Sequence, residues 1–156
     1  MATTRVQTAA DYRERLGPSL WVIVSAAVVA PMAALVFTPI DTTVALTVGA
    51  GVGVIAIALL VWASPVVRVA DGRVFAGRAW IDARYLGEPV ALTDEDARFA
   101  RGPGLDATAW HVIRGGIDGV VVVPVIDQDD PTRAWVVSSR TPDRLAAAIR
   151  RAQAVR

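Results

Sequence analysis

Residues 20–63 read LWVIVSAAVVAPMAALVFTPIDTTVALTVGAGVGVIAIALLVWA, and the reading of the rest of the chain follows from them. From Leu20 to Phe37 and again from Val44 to Ala63 there is no charged side chain, and the short polar break Thr38-Pro39-Ile40-Asp41-Thr42 lies between the two runs. At about 1.5 Å of helical rise per residue, each run reaches about 30 Å, the thickness of a bilayer's hydrocarbon core. A transmembrane α-helical hairpin is therefore expected. Neither run holds an ionisable residue, which argues against a proton relay, an ion path or a pump. A cleaved signal peptide is the rival reading of the first run. It is disfavoured because Ala30 to Ala34 gives no clean cleavage pattern and a second apolar run follows at once.

Arginines near the helix ends set the expected orientation. Arg13 and Arg15 precede the hairpin, Arg68, Arg73 and Arg78 follow it, and the connecting loop carries only Asp41. Both termini are thus expected in the cytoplasm, in a multi-pass protein of the plasma membrane. Trp21 and Trp62 fall on the same expected leaflet, where indole rings prefer the interface. Within the hairpin, Ala45, Gly49 and Gly53 recur at spacing four, as do Ala26, Ala30 and Ala34. Such rows let helix backbones approach closely in lipid. A homodimer face on Gly49-x-x-x-Gly53 is one reading. Packing against the partner helix of the same hairpin is the other, and the short loop favours it.

Composition narrows the chemistry. The net charge of +1 gives no global field to attract nucleic acid. Cysteine is absent, excluding disulfides and thiolate chemistry, and the sixteen basic residues are all arginine, excluding a Schiff-base or phosphate-binding lysine. Ahead of the hairpin, residues 1–19 read as a polar cytoplasmic tail with Arg5, Asp11 and one helical turn over Tyr12 to Leu16, broken by Gly17-Pro18.

Residues 64–156 read as a small cytoplasmic α+β domain. Strands are expected at Val66 to Ala70, Arg73 to Ala76, Arg78 to Ile81 and Pro89 to Leu92, with Asp71-Gly72 as a hairpin turn. A short helix runs from Thr93 to Arg101. Trp110 to Arg114 and Val120 to Ile126 suggest a hairpin about Gly115-Gly116. The second run is apolar enough to be covered on both faces, and Pro124 suggests an edge or a bulge. A strand over Ala134 to Ser138 precedes a helix N-capped by Thr141, with Pro142 at its first position and Leu145, Ala148, Ile149 and Ala152 on one face. Seven strands and a terminal helix resemble the element order of a pleckstrin-homology-like (PH-like) domain, a partly open barrel capped by its C-terminal helix.

Gly102-x-x-x-Asp106 and the run Asp127-x-x-Asp130-Pro131-Thr132-x-x-Trp135-Val136-Val137-Ser138-Ser139-Arg140-x-Pro142-x-x-Leu145 follow this double-spanning N-terminus. Together they are similar to an actinobacterial membrane family catalogued as domain of unknown function 3093. The resemblance runs from about Tyr12 to Ala152 and implies a membrane protein of this layout. It implies no activity.

No catalytic set is recognised, and no metal or cofactor is expected. His111 lacks companion ligands, and Asp127, Asp129 and Asp130 lack the glycine turn and distal glutamate of a calcium loop, so Asp130 reads as an Asx turn before Pro131. Arg140, flanked by Ser138, Ser139 and Thr141 at a helix N-terminus, is the candidate anion-binding residue. The competing reading pairs it with a carboxylate such as Asp127 or Asp130. Arg68, Arg73 and Arg78 are candidates for contact with anionic lipid. The expected function is a non-catalytic scaffold or regulator anchored in the bilayer and binding a protein partner. The alternative is a binder of anionic lipid head groups or a small anion through Arg140, Ser138, Thr141 and the juxtamembrane arginines. An enzyme would need carboxylates such as Asp82, Asp106 and Asp127 to converge.

Overall fold

The computed structural model describes residues 12–154. Met1–Asp11, with Arg5 and Asp11 of the N-terminal tail, and Val155–Arg156 lie outside the described residues. The chain divides into two compact units, residues 17–64 and residues 12–16 with 65–154.

The first unit is a pair of helices, α1 (Leu20–Phe37) and α2 (Thr42–Trp62). Ser19 caps α1 by accepting Val22 N, and Asp41 caps α2 by accepting Thr43 N at 2.7 Å and Val44 N at 3.0 Å. Both helices are long and apolar enough to cross a membrane, and their large side chains face outward along most of their length. Only Ala45, Gly49 and Gly53 of α2 are buried, all on the side facing α1. A Cβ at Gly49 would fall 2.7 Å from the Ala30 carbonyl oxygen and 2.8 Å from Ala34 Cβ, and one at Gly53 would fall 2.8 Å from Ala30 Cβ. The small-residue row is thus used inside the hairpin.

The second unit holds eight strands in two four-stranded sheets. One sheet, in order, is β1 (Tyr12–Arg15), β2 (Val66–Ala70), β3 (Arg73–Ala76) and β4 (Ala79–Asp82), all antiparallel. The other, in the order β5-β7-β8-β6, contains β5 (Val90–Leu92), β6 (Trp110–Val112), β7 (Val120–Pro124) and β8 (Ala134–Ser138). Two helices complete it, α3 (Asp94–Ala100) and α4 (Pro142–Ala154). Val67, Val69, Val74 and Ile81 of the first sheet share one core with Val121, Val123, Trp135 and Val137 of the second. Leu145, Ala148, Ile149 and Ala152 of α4 enter the same core, the face expected from their spacing. The sheets are open and do not close into a barrel.

Three expectations are corrected. Tyr12–Arg15 is a strand, not a helical turn in a tail: it pairs Tyr12 with Val69 and Arg15 with Val66, and Leu16 N donates to Pro65 O at 2.9 Å. The domain therefore begins before the helical pair, which is inserted between two hydrogen-bonded neighbours, and the strand count rises from seven to eight. Second, β6 does not form a hairpin with β7 but lies parallel to β8, with Trp110 opposite Trp135. Both edges of β7 are already taken by β5 and β8, so the edge of β8 is what remains. Third, β7 is interior rather than an edge strand. Pro124 sits at its last position, where the absent N–H costs least.

Adding a methyl at Gly49 meets backbone, which cannot swing aside as a side-chain tip can. Gly49→Ala is expected to destabilise the helical pair by about 1–3 kcal/mol, read from the loss of helicity on denaturant titration in detergent. Gly51→Ala is the control and should lose no stability, because nothing lies within 4 Å of that added Cβ.

Candidate functional site

Strand β1 alternates strictly. Tyr12 and Glu14 turn inward while Arg13 and Arg15 are exposed, so a run of polar residues delivers a carboxylate to the interior side of the sheet. Only 13% of the Glu14 side chain remains exposed. Its Oε2 accepts from Tyr12 Oη at 2.7 Å and from Ser139 Oγ at 2.6 Å, and its Oε1 accepts from Arg140 N at 2.8 Å. Three donors on one carboxylate satisfy a charge that partial burial would otherwise penalise. The Arg140 guanidinium closes the cluster, with Nη1 3.9 Å from Glu14 Oε1 and donating to Arg15 O at 3.1 Å.

Arg140 therefore has a carboxylate partner of the kind weighed above, but the partner is Glu14, not Asp127 or Asp130. Asp127 accepts from Asp129 N, and Asp130 accepts from Thr132 N at 2.7 Å, which makes the expected Asx turn before β8. Thr141 takes the N-cap place of α4, since Leu145 N donates to its carbonyl, and its Oγ1 lies 3.0 Å from Tyr12 Oη. The Thr141 N–H donates to Ser139 Oγ. Ser138 is on the opposite side of the strand: its fully buried Oγ accepts from Arg114 N at 3.1 Å. Arg140 and Thr141 are brought together, and Ser138 is not.

An open cleft of about 420 Å³ lies over this cluster, lined by Tyr12, Arg13, Glu14, Arg140, Thr141 and Arg144. Three guanidinium groups face one carboxylate there, an arrangement able to attract an anion. Burial pushes the Tyr12 phenol above its ordinary value of 10.0. Its hydrogen-bond contacts with the Ser139 and Thr141 hydroxyls offset this in part, while its bond to Glu14 and the Glu14 charge add to it.

The juxtamembrane candidates lie elsewhere. Arg68 stacks on Phe75 at 4.3 Å from the ring centre, Arg73 on Trp80 at 4.7 Å, and Arg78 on Trp110 at 5.7 Å. The carboxylates considered for catalysis are each engaged locally. Asp82 lies 3.9 Å from both Arg73 and Arg84, Asp106 accepts from Thr108 N and Oγ1, and Asp127 shapes its own turn. The Thr108 bonds hold the Asp106 carboxyl below its ordinary value. The exposed His111 has Nδ1 3.3 Å from Ala109 O.

Sequence reasoning placed Ser139 beside Arg140 but missed Glu14 and Tyr12. The available signal was the period-two pattern of Tyr12-Arg13-Glu14-Arg15, too short to outweigh the apolar run beside it. It also missed an open cleft of about 690 Å³ near the end of α4, lined by Asp71, Asp82, Arg84, Glu88 and Gln153 among others. There Gln153 Nε2 donates to the Leu86 and Gly87 carbonyls at 2.8 Å.

Among known proteins, a family model described as "Protein of unknown function (DUF3093)" matches residues 11–149. No curated protein and no solved structure matches the chain.

Two outcomes follow from the Glu14 cluster. Glu14→Ala is expected to cost the sheet domain about 2–3 kcal/mol, measured by urea unfolding of the full chain in detergent. The Glu14→Ala/Ser139→Ala pair should be non-additive by more than about 0.5 kcal/mol. The raised Tyr12 pKa means that this hydroxyl's contribution is complete below pH 10.0 and is lost as pH climbs through the folded-state value. Tyr12→Phe should remove that alkaline loss of stability, together with a tyrosinate component titrating above pH 10.0 in near-ultraviolet absorbance.

Proposed function

From the premise that the chain belongs to the DUF3093 family, whose description names no reaction, we propose that it is a membrane-anchored, non-catalytic scaffold or regulatory protein. One observation carries the reading: an apolar helical pair is inserted between β1 and β2, adjacent strands of a polar-surfaced domain. Water does not tolerate two helices whose outward faces are lined with Val, Leu and Ile, whereas a bilayer does so at this length. Insertion between paired strands, rather than attachment at an end, ties the domain to its anchor by two short connections.

In this reading the hairpin crosses the plasma membrane twice with both termini cytoplasmic, following the arginines on either side of it and the bare loop at Asp41. The all-arginine basic set agrees with a GC-rich genome of actinobacterial type. The order of strands ending in α4 is what favours a variant of the PH-like architecture. The domain then presents a surface to a protein partner at the inner membrane face. Arg140, joined to Glu14 and Arg15, acts first as a structural residue. Binding of a small anion in the cleft over Arg13, Arg140 and Arg144 is the second reading, favoured by the excess of guanidinium groups there.

Two measurements test this. Since the chain has no cysteine, Thr42→Cys should react with an impermeant maleimide in intact cells, and Thr132→Cys only after permeabilisation. The reverse pattern overturns the orientation. Purification of the full chain from native membranes in mild detergent should retain a stoichiometric protein, with or without Arg140→Ala. Recovery of only an anionic lipid or metabolite, lost in Arg140→Ala while the fold persists, would replace the scaffold with the anion binder.

A further inference from the structure

The two sheets differ in what covers them. The second sheet has its inner face in the shared core, while its outer face carries Val120 and Val136 into a smaller cluster with Ala97 of α3 and Ala109. The outer face of the first sheet has no such cover among the described residues, and its register places Arg13, Arg68, Phe75 and Trp80 opposite one another in a row across all four strands. Cross-strand neighbours share a face. Arg15 and Arg73 lie on the same face in flanking registers, and the one carboxylate there among the described residues, Asp82, sits opposite Arg73. Trp80 remains 56% exposed. The Arg68 and Arg73 guanidinium groups lie over the Phe75 and Trp80 rings, 4.3 and 4.7 Å from their centres, so charge and ring are held together on this face.

We propose that this face, built on the row Arg13, Arg68, Phe75 and Trp80, docks on an anionic phospholipid surface. Four arginines against one aspartate complement a negatively charged sheet of phosphates, and an indole among them is the side chain that best enters the headgroup layer. Rings and guanidinium groups arrayed across one face of a sheet suit an extended charged surface, which needs no pocket. Only Leu16-Gly17-Pro18-Ser19 separates β1 from α1, and only Ala63-Ser64-Pro65 separates α2 from β2, so the two strands that carry Arg13 and Arg68 also carry the anchor. The inference rests on the membrane-anchored reading and adds to it a second, electrostatic attachment, which shares Arg13 with the cleft at Arg140 and otherwise lies on Arg68, Phe75 and Trp80.

The test uses the full chain in vesicles, with Trp21→Phe and Trp62→Phe removing the indoles at the helix ends. Trp80 should be quenched by a lipid spin-labelled at its headgroup when the vesicles contain phosphatidylglycerol, and far less in phosphatidylcholine alone. Trp80→Phe should abolish the difference. Arg13→Gln and Arg68→Gln should each weaken docking about fivefold, as should Arg73→Gln if either of those perturbs the sheet. Added salt should act in the same direction. The near-ultraviolet dichroism of buried Trp135 reports that the domain stays folded. Equal quenching in both lipids, or none in either, overturns the proposal, including the case in which an acidic protein occupies the face instead. Extraction with alkaline carbonate separates the two failures. A chain that resists extraction but shows no lipid-dependent quenching loses only the docking face, whereas a chain that is extracted loses the anchor as well.

Discussion

One carboxylate holds the beginning of this domain to its end. Glu14 accepts bonds from Tyr12, Ser139 and the Arg140 backbone, and so binds β1 to the corner where β8 turns into α4. The groups it joins are a phenol, a buried hydroxyl and a backbone N–H, each costly to leave without a partner once water is displaced. Leu16, fully buried beside it, adds apolar burial to the same strand. The strand is thereby kept in a sheet whose neighbour, β2, lies beyond two apolar helices. Without Glu14, β1 would be a polar edge strand held by its ladder to β2, the burial of Leu16, and the contacts of Tyr12 with Thr141 and of Arg140 with the Arg15 carbonyl.

From that constraint follows an unequal pair of sheets. β7 and β8 have cores on both faces, and their sequences are correspondingly continuous in Val and Trp. The sheet from β1 to β4 has a single core face and alternates, with arginine and aromatic side chains outside. The cation–aromatic contacts on that outer face also protect it. A long apolar edge or face would invite association with other chains, whereas guanidinium groups laid over Phe75 and Trp80 keep it charged.

What could be read from the sequence is what is decided locally. The two apolar helices, the Asp71-Gly72 turn, the Asx turn at Asp130 and the apolar stripe of α4 all depend on residues within a few positions of one another. The Gly49 and Gly53 row was legible because a short loop leaves those glycines one close neighbour, α1. Tyr12 to Arg15 was not legible, because a short strand of three charged residues and a tyrosine carries no hydrophobic signal and its partner lies on the far side of the hairpin. The parallel pairing of β6 with β8 was hidden for a related reason: Gly115-Gly116 is good turn chemistry, and which neighbour a strand takes depends on which edges are already filled. The partner of Arg140 was likewise a matter of tertiary contact, 126 positions away.

The insertion of the helices between paired strands also imposes an order on synthesis. β1 leaves the ribosome ahead of its partner with an unpaired row of N–H and C=O groups, and both apolar helices must emerge before β2 arrives to meet it. At about 5–20 residues per second, that interval lasts several seconds. Ser139, which helps to hold Glu14, comes 125 positions after it. The sheet can close only after the hairpin has been completed, so formation of the domain reports on the fate of the helices, and a chain whose hairpin fails is left with an open strand edge for quality control to find.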